Sequence, residues 1–458
     1  MTSDRERLFS AWLLHPYFDL EPTPFGPLHA RCVEHGWRAF DDLELPRFTP
    51  QRALAPGFRV QLARTTGQRS PVIRPHDLPA RLRSERWGKL CGAIDGWNAL
   101  LPEKRVRLAF LLHSLCFYSQ LIDLVDGRED HGLGADPVAL ELDLLCASAR
   151  YIAAVPKQIS DYHDADLSKL ERIAGDSRAE PRTRFNSTAK VFVHKAKTRA
   201  DTSELVRWGA RFEACLGPAV ADMDEFSANL HISRFYRGMG FLPQRAGDAA
   251  AVARAMGLAE DYAFRMRPVT PAQQVLFKEN LHALMQSRAK EAAWAGDLDL
   301  ALTRALQVIE FDPCDSMAWL ELGQLHRRRK SWPKAAEAFA VAAMLGPPAA
   351  AVGRHLVGVC LSKIGLDLLA ALFFRDALEA DPLGISPRRA IENLPDAPVL
   401  VALKEWLGSQ GAGPVDGDSA GGMDIGRASV AAKARGAPKP SASAGLGADG
   451  GCDFAPPG

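Results

Sequence analysis

The chain has 458 residues, of which 47% are hydrophobic and 24% are charged, close to the average for folded globular proteins. Its 56 Lys and Arg residues nearly balance its 55 Asp and Glu residues, leaving a formal charge of +1. This balance excludes an electrostatic attraction of the whole protein to nucleic acid or to an anionic membrane, but it leaves a local basic patch open.

Residues 1–80 are rich in proline and show little helical periodicity. The segments Arg-Val-Gln-Leu at 59–62 and Pro-Val-Ile at 71–73 flank a Thr-Thr-Gly turn, so one short β-hairpin is an open alternative to irregular structure there. The N-terminus, Met-Thr-Ser-Asp-Arg-Glu-Arg, does not resemble a secretory signal, and no run approaches the ~18 apolar residues of a membrane span. The eight cysteines form no Cys-x-x-Cys pair, which is typical of free thiols in a reducing compartment. We therefore expect a cytoplasmic protein that does not enter a membrane.

Residues 81–265 have the spacing of a helical domain. Leucines at i, i+3 and i+4 predict one helix over 106–126, which Gly127 would end. Asp201 followed by Glu204 predicts a capped helix start, and Thr270-Pro271 begins a long helix that Gly296 would end. Within this region a degenerate helix pair is also predicted over 231–257, with Gly238 and Ala250 as its small contact residues.

An internal period is the clearest signal in the chain. Pro313, Pro347 and Pro382 are 34 and 35 residues apart. Within these two spacings the same residue types recur in register: Trp319, Leu322, Gly323, Ala335, Phe339 and Ala342 in the first, then Val357, Gly358, Gly365, Ala370, Phe374 and Ala377 in the second. The segment before Pro313 keeps the small residues Ala289, Ala301 and Ala305, with Met285 where its neighbour has Trp319.

These residues make the segment from about 282 to 384 resemble the tetratricopeptide repeat (TPR) family, with His326 as a departure where the family usually has Tyr. The resemblance implies three pairs of helices whose small residues allow close approach. The amphipathic stretch from Val399 to Leu407 would close the array, which places the repeats and their cap within 270–408. The residues 409–458 are rich in Gly and Pro, which predicts a disordered tail. We expect a mainly α fold: a helical domain, a short TPR-like α-solenoid and this tail.

The resemblance also implies a peptide-binding groove along the first helix of each repeat. The matching positions in this chain are Gln286, Lys290 and Trp294, then Leu320, Gln324, Arg327 and Arg328, then His355, Val359 and Lys363. The four cationic side chains in this set predict a positive groove suited to an acidic or carboxylate-bearing peptide. The Lys/Asn pattern of the family's carboxylate clamp is not reproduced.

The region before the repeats offers two candidate metal sites. Asp123 and Asp126 share a helix face, and His163 lies within a run of aspartates from 161 to 166. Carboxylates and imidazole are suitable ligands for a divalent ion. The alternatives are surface acids balanced by arginine and helix caps. His113, within the apolar helix, has two interpretations, an axial or metal ligand and a hydrogen-bonded histidine in the core or at its boundary.

A basic run extends from Arg182 to Arg199 with phenylalanines interleaved and no acidic residue. It predicts either a contact with phosphate or acidic peptide, or the solvated face of a helix. No helix-turn-helix or zinc-finger spacing accompanies it, so we expect no sequence-specific nucleic-acid binding.

The leading functional interpretation is a cytoplasmic adaptor that binds a segment of a partner protein through the TPR groove. The alternative is an all-helical enzyme with its catalytic domain at residues 80–265, metal-dependent or not, whose repeats recruit a protein or peptide substrate. Phosphate-loop, nucleophile-elbow and His-Glu-x-x-His motifs do not occur. The sequence identifies no catalytic residue, cofactor or oligomeric state.

Overall fold

The computed structural model describes residues 74–77, 80, 83, 85–114, 117–126, 136–154, 161–198, 201–313, 315–345, 349–380, 385–394 and 398–409. These residues form helices joined by turns, with no strand among them, so the predicted mainly α fold is confirmed. The predicted hairpin before residue 74 lies outside the described residues, as does the predicted tail after residue 409. None of the helices in the described part combines the length and apolarity that crossing a membrane requires.

Chain contacts divide the described residues into two units, 74–287 and 288–409. The first unit contains two short 3-10 helices, Pro75–Asp77 and Trp97–Ala99, and the α-helices α1 Glu85–Asp95, α2 Pro102–Ser114, α3 Tyr118–Asp126, α4 Pro137–Ala154, α5 Asp161–Gly175, α6 Pro181–Lys197, α7 Thr202–Val220, α8 Glu225–Met239, α9 Phe241–Ala246 and α10 Ala249–Arg265. The next helix, α11 Pro271–Trp294, contains the division between the units at Ser287 and Arg288. The sequence placed this boundary earlier, between 265 and 270.

The second unit continues from the end of α11. Its further helices are α12 Leu298–Phe311, α13 Ser316–Arg328, α14 Trp332–Met344, α15 Ala350–Lys363, α16 Asp367–Ala380, α17 Ile385–Glu392 and α18 Pro398–Ser409. In this unit α13 packs on α14, α14 on α15 and α15 on α16, so that each helix contacts the next along the chain. The closing helix predicted from Val399 to Leu407 is α18, which buries Leu400 and Leu407 beside Leu378 of α16.

The capping signals that the sequence predicted are present at two helix starts. The Asp201 carboxylate accepts a hydrogen bond from the Ser203 backbone N–H at 3.1 Å, and Thr270 Oγ1 accepts one from the Gln273 N–H at 3.1 Å. Gly296, which follows α11, has a φ of 89°, a conformation that favours glycine. These local signals set the helix ends because they satisfy backbone groups that the helix itself leaves without partners.

The single helix predicted over 106–126 is instead two helices, α2 and α3. After α2 the Phe117 N–H donates to the Leu112 carbonyl, five residues back, which is a wider turn than the α-helix allows. Phe117 is thereby fully buried, and its ring packs edge-on against Trp87 with 5.8 Å between centroids. The gain from burying a large aromatic ring accounts for the break, and the period of the leucines does not reveal it.

Candidate functional site

The contacts between the helices of one pair show why the repeated residue types recur. A Cβ added to Gly323 on α13 would lie 2.4 Å from Cε1 of Phe339 on α14, so the ring occupies the space where a side chain would otherwise be. The next pair repeats this contact, with an added Cβ on Gly358 of α15 only 2.5 Å from Cε1 of Phe374 on α16. Two identical glycine–phenylalanine contacts at the same positions of successive helix pairs decide the architecture.

The helix pairs between residues 288 and 380 are tetratricopeptide-type repeats.

Small buried residues complete the packing of the repeats. Ala335, Ala342, Ala370 and Ala377 are fully buried, at the positions where the sequence predicted small contacts. Phe339 covers the glycine of its own helix pair and also packs with Leu356 and Val357 of the next pair. The added Cβ of Gly353, on the following helix α15, would lie 2.9 Å from the Phe339 carbonyl oxygen, so backbone also approaches backbone closely between pairs.

Two of the four predicted groove cations are engaged within the repeats. Lys290 Nζ on α11 lies 2.7 Å from Glu321 Oε1 on α13, and this ion pair offsets its charge. Arg328 Nη2 donates to the Ala293 carbonyl at 2.9 Å, near the C-terminal end of α11, where a cation is favourably placed. Both side chains therefore join α11 to α13, and the positive groove is smaller than the sequence indicates.

The other two predicted groove cations are Arg327 on α13 and Lys363 on α15. Arg327 is half-buried on α13, and Lys363 is exposed at the end of α15. His355 of α15 packs its ring against Phe374 with 5.5 Å between centroids. Burial, and then the positive charge of Arg327, lower the pKa of His355 to about 4, so the imidazole is neutral at pH 7. The His355 Nδ1 atom is buried and has no hydrogen-bond partner among the described residues.

The remaining predicted groove residues are uncharged. Trp294 ends α11 and Gln324 lies on α13, both half-buried, and Val359 is half-buried on α15, whereas Leu320 is buried in the core beside Phe339. Gln286 lies on α11 before the division and belongs to the unit 74–287. The sequence reasoning missed Glu321, the acid that pairs with Lys290. The two residues lie on different helices, so only the distance between them in the structure shows the ion pair.

Comparison with known proteins supplies little beyond this geometry. No protein-family model matches the chain, and no curated protein matches it either. Among solved structures, the TPR protein YrrB, described as having an unusual peptide-binding site, is 15% identical, covers 44% of this chain and 92% of its own, and has a TM-score of 0.29. MamA is 14% identical over 46% of this chain and 98% of its own, with a TM-score of 0.28. The human IFIT1 dimer with PPP-AAAA is 12% identical over 86% and 85%, with a TM-score of 0.44. At these values the likenesses carry no information about what this chain binds.

The predicted metal ligands Asp123 and Asp126 both lie in ion pairs. Asp123 Oδ2 is 2.6 Å from Arg74 Nη2, and Asp126 pairs with Arg150 of α4. Arg150 also lies 3.7 Å from Asp166 of α5, so it joins the two acidic clusters that the sequence treated as separate sites. The third predicted ligand, His163, is on α5, but its side chain is outside the described residues. Within the described part no three potential metal ligands group together, and the metal site stays a prediction.

The basic run from Arg182 onward does not form a single surface. Its part from 182 to 197 lies on α6, where Lys190 and Lys195 are both buried, so neither a continuous phosphate-binding face nor a solvated face describes that part. Lys195 Nζ lies 2.8 Å from Glu171 Oε1 and 2.6 Å from Glu204 Oε1. Burial acts to lower the pKa of Lys195, but its bonds to the two carboxylates outweigh burial and raise it.

Replacing Lys195 with methionine is expected to destabilise the unit 74–287 by about 1 kcal/mol, because Glu171 and Glu204 would face each other without a cation between them. Both carboxylates are partly exposed, which limits the cost. Lys195→Arg keeps the charge and is the matched control. Urea denaturation of the two variants measures the difference, and equal midpoints for Lys195→Met and wild type would contradict this role.

Ser148 of α4 lies between two buried basic side chains. Its Oγ is 3.0 Å from Lys190 Nζ and 3.2 Å from His113 Nε2. Burial lowers the pKa of Lys190 to about 8; burial, and then the charge of Lys190, lower that of His113 to about 3. Since Ser148 is 4% exposed and Lys190 9%, neither presents a reactive atom to solvent. His113 is thus the hydrogen-bonded core histidine of the two alternatives, and the enzyme interpretation of residues 80–265 stays a prediction.

Proposed function

We propose that the repeats at 288–380 bind an acidic or carboxylate-bearing segment of a partner protein, and that the chain acts as a cytoplasmic adaptor. The combination of Arg327 on α13 with His355 on α15 carries this proposal. There the charge of Arg327 acts on the His355 ring, whose buried Nδ1 has no partner in the described part of the chain. A guanidinium beside a neutral imidazole can give a carboxylate one charge-assisted and one neutral hydrogen bond.

The position of these groups within the repeats supports the same function. Arg327, His355 and Lys363 all belong to first helices, which line the inner face of stacked helix pairs in this class of repeat. Because Lys290 and Arg328 join α11 to α13, recognition would centre on α13 and α15 and leave the start of the array to packing. Trp294 and Gln324 would then supply apolar and amide contacts beside the charged centre.

The test compares Arg327→Gln plus Lys363→Gln with wild type against an array of acidic peptides, each with a free or an amidated C-terminus. We expect wild type to retain acidic peptides and the double variant to bind them about tenfold more weakly, which is about 1.4 kcal/mol. The affinity of wild type should also fall as salt is raised, because exposed charges are screened.

The matched control is Lys330→Gln plus Lys334→Gln, which removes two exposed cations around the start of α14, a second helix. It should bind like wild type. Equal weakening in both double variants would show a nonspecific charge effect, and unchanged binding in the Arg327 and Lys363 variant would reject the groove. A preference for free over amidated C-termini would identify the carboxylate as terminal.

A further inference from the structure

The short helix α17 continues the stack of first helices in the repeats. It packs against both α15 and α16. The first helices α13 and α15 bury three positions at the same spacing, and α17 buries the equivalent three: Ala318, Leu322 and Leu325, then Gly353, Val357 and Cys360, then Pro387, Ile391 and Leu394. The three sets are 35 and 34 residues apart, which is the repeat period. Because its buried positions fix how a helix is rotated on the core, α17 presents its other positions as α15 does.

This register places Arg389 of α17 at the position that Leu320 holds on α13 and His355 holds on α15. The position is buried as Leu320, half-buried as His355 and exposed as Arg389, so the face that carries it becomes more open toward α17. Asn393 follows one turn after Arg389 and is also exposed, at the position of Val359 on α15. Its backbone N–H donates to the Arg389 carbonyl at 3.1 Å, so the helical spacing extends to it. Arg389 and Asn393 therefore share one exposed face.

The side chains of Arg389 and Asn393 are available to a ligand. Within the described residues neither side chain makes a hydrogen bond or an ion pair. The acid of α17, Glu392, holds the position of Gly358, which on α15 faces the second helix of its pair, and it forms no ion pair with Arg389 in that part of the chain. A guanidinium and an amide one turn apart can both donate to one carboxylate, and the bond from the guanidinium is charge-assisted.

We propose that Arg389 and Asn393 form a second carboxylate-binding site at the α17 end of the groove, so that the partner segment carries two acidic groups about six residues apart. This inference rests on the proposed function, because the first acidic group binds at Arg327 and His355. Helices that pack side by side lie about 8–10 Å apart, so the two steps from α13 to α17 cover roughly 16–20 Å. An extended chain spans that distance in about five or six residues. Two linked contacts reinforce each other, because the second one forms within the complex.

The test measures binding of the full chain to fluorescein-labelled Gly/Ser peptides with amidated C-termini, by fluorescence anisotropy. One peptide carries only an anchor of three consecutive glutamates. Three others add a glutamate pair two, six or twelve residues from the anchor, so these three have equal net charge. We expect the six-residue spacing to bind about three- to fivefold more tightly than the other two. Equal affinity at all three spacings would overturn the second site and leave the proposed function intact, whereas no binding of any peptide would overturn both.

Arg389→Gln should abolish the preference for the six-residue spacing and change the affinity for the anchor peptide by less than about twofold. Asn393→Asp should also abolish the preference, because it places a carboxylate in the second site. The matched control is Arg388→Gln, which removes the same charge from the adjacent, half-buried position of α17 and should keep the preference. An unchanged preference in Arg389→Gln would overturn the second site. Equal loss in Arg388→Gln and Arg389→Gln would also overturn it, because a general effect of charge would then explain the binding.

Discussion

Gly323→Ala is expected to lower the free energy of unfolding by about 2–3 kcal/mol, within the range of overpacked cores. The new Cβ would lie 2.4, 2.5 and 2.9 Å from three ring atoms of Phe339, which is itself fully buried and has no space to retreat. The direction of this change in stability is informative, because alanine in a helix is ordinarily about 0.5–1 kcal/mol more favourable than glycine. Urea denaturation of the full chain, followed by far-UV circular dichroism, measures the effect.

Gly257→Ala is the matched control for this prediction. Gly257 lies within α10, and an added Cβ there would meet nothing within 4 Å, so alanine should stabilise the protein by about 0.5–1 kcal/mol. A second variant, Gly323→Ala with Phe339→Leu, should recover part of the loss because the smaller side chain yields space. If Gly323→Ala and Gly257→Ala changed stability in the same direction, the close approach of α13 and α14 would be in doubt.

Lys190→Met is expected to stabilise the protein by about 2–3 kcal/mol at neutral pH. Among the described residues no carboxylate compensates Lys190, and burial alone lowers its pKa from 10.5 to about 8. Each unit of difference between the folded and unfolded pKa corresponds to about 1.4 kcal/mol, so keeping this amine charged in the core is costly. Methionine has a similar length and no charge, and Ser148 retains His113 as a hydrogen-bond partner. The opposite sign expected for Lys195→Met, five positions along the same helix, follows from its two carboxylate partners.

The pH dependence of this gain has a definite sign. Because the folded pKa of Lys190 is below the unfolded one, the unfolded state binds more protons between about pH 8 and 10.5. Wild-type stability therefore gains from this group as the pH rises through that window, while Lys190→Met does not. The advantage of the variant should be full below pH 8 and shrink toward pH 10.5. Lys89→Met, at an exposed position of α1, is the control and should show no such trend; a constant advantage of Lys190→Met at all pH values would exclude the charge as its cause.

The sequence predicted the repeats well because their packing is encoded locally. In the two periods between Pro313 and Pro382, a glycine and a phenylalanine at fixed positions are the residues in contact, so the pattern identifies the contact itself. Where the period is lost, the same reasoning fails. The degenerate pair over 231–257 does pack, as α8 on α10, but Gly238 faces Phe212 of α7, Ala250 is exposed, and Gly240 is the residue that approaches Met256.

The candidate site was predicted less completely because its charges pair across helices. Lys290 and Glu321 are far apart in sequence, as are Arg234 and Glu279, and no local pattern brings either pair together. The basic run on α6 was misinterpreted for the same reason. Its lysines lie on a helix with buried faces on several sides, so Lys190 meets Ser148 and Lys195 meets two acids from neighbouring helices.

The junction between the units falls inside a continuous helix, and this has a practical consequence. Leu276 and Leu284, on the earlier turns of α11, are buried with Phe226 and Leu230 of the unit 74–287, whereas the last turns of the same helix belong to the repeats. A fragment that begins at residue 270 would expose these leucines to solvent. A fragment that begins at residue 288 would keep only about two turns of α11. Neither limited proteolysis nor gene truncation offers a clean cut at this point, so the repeats are best expressed together with the helices that precede them.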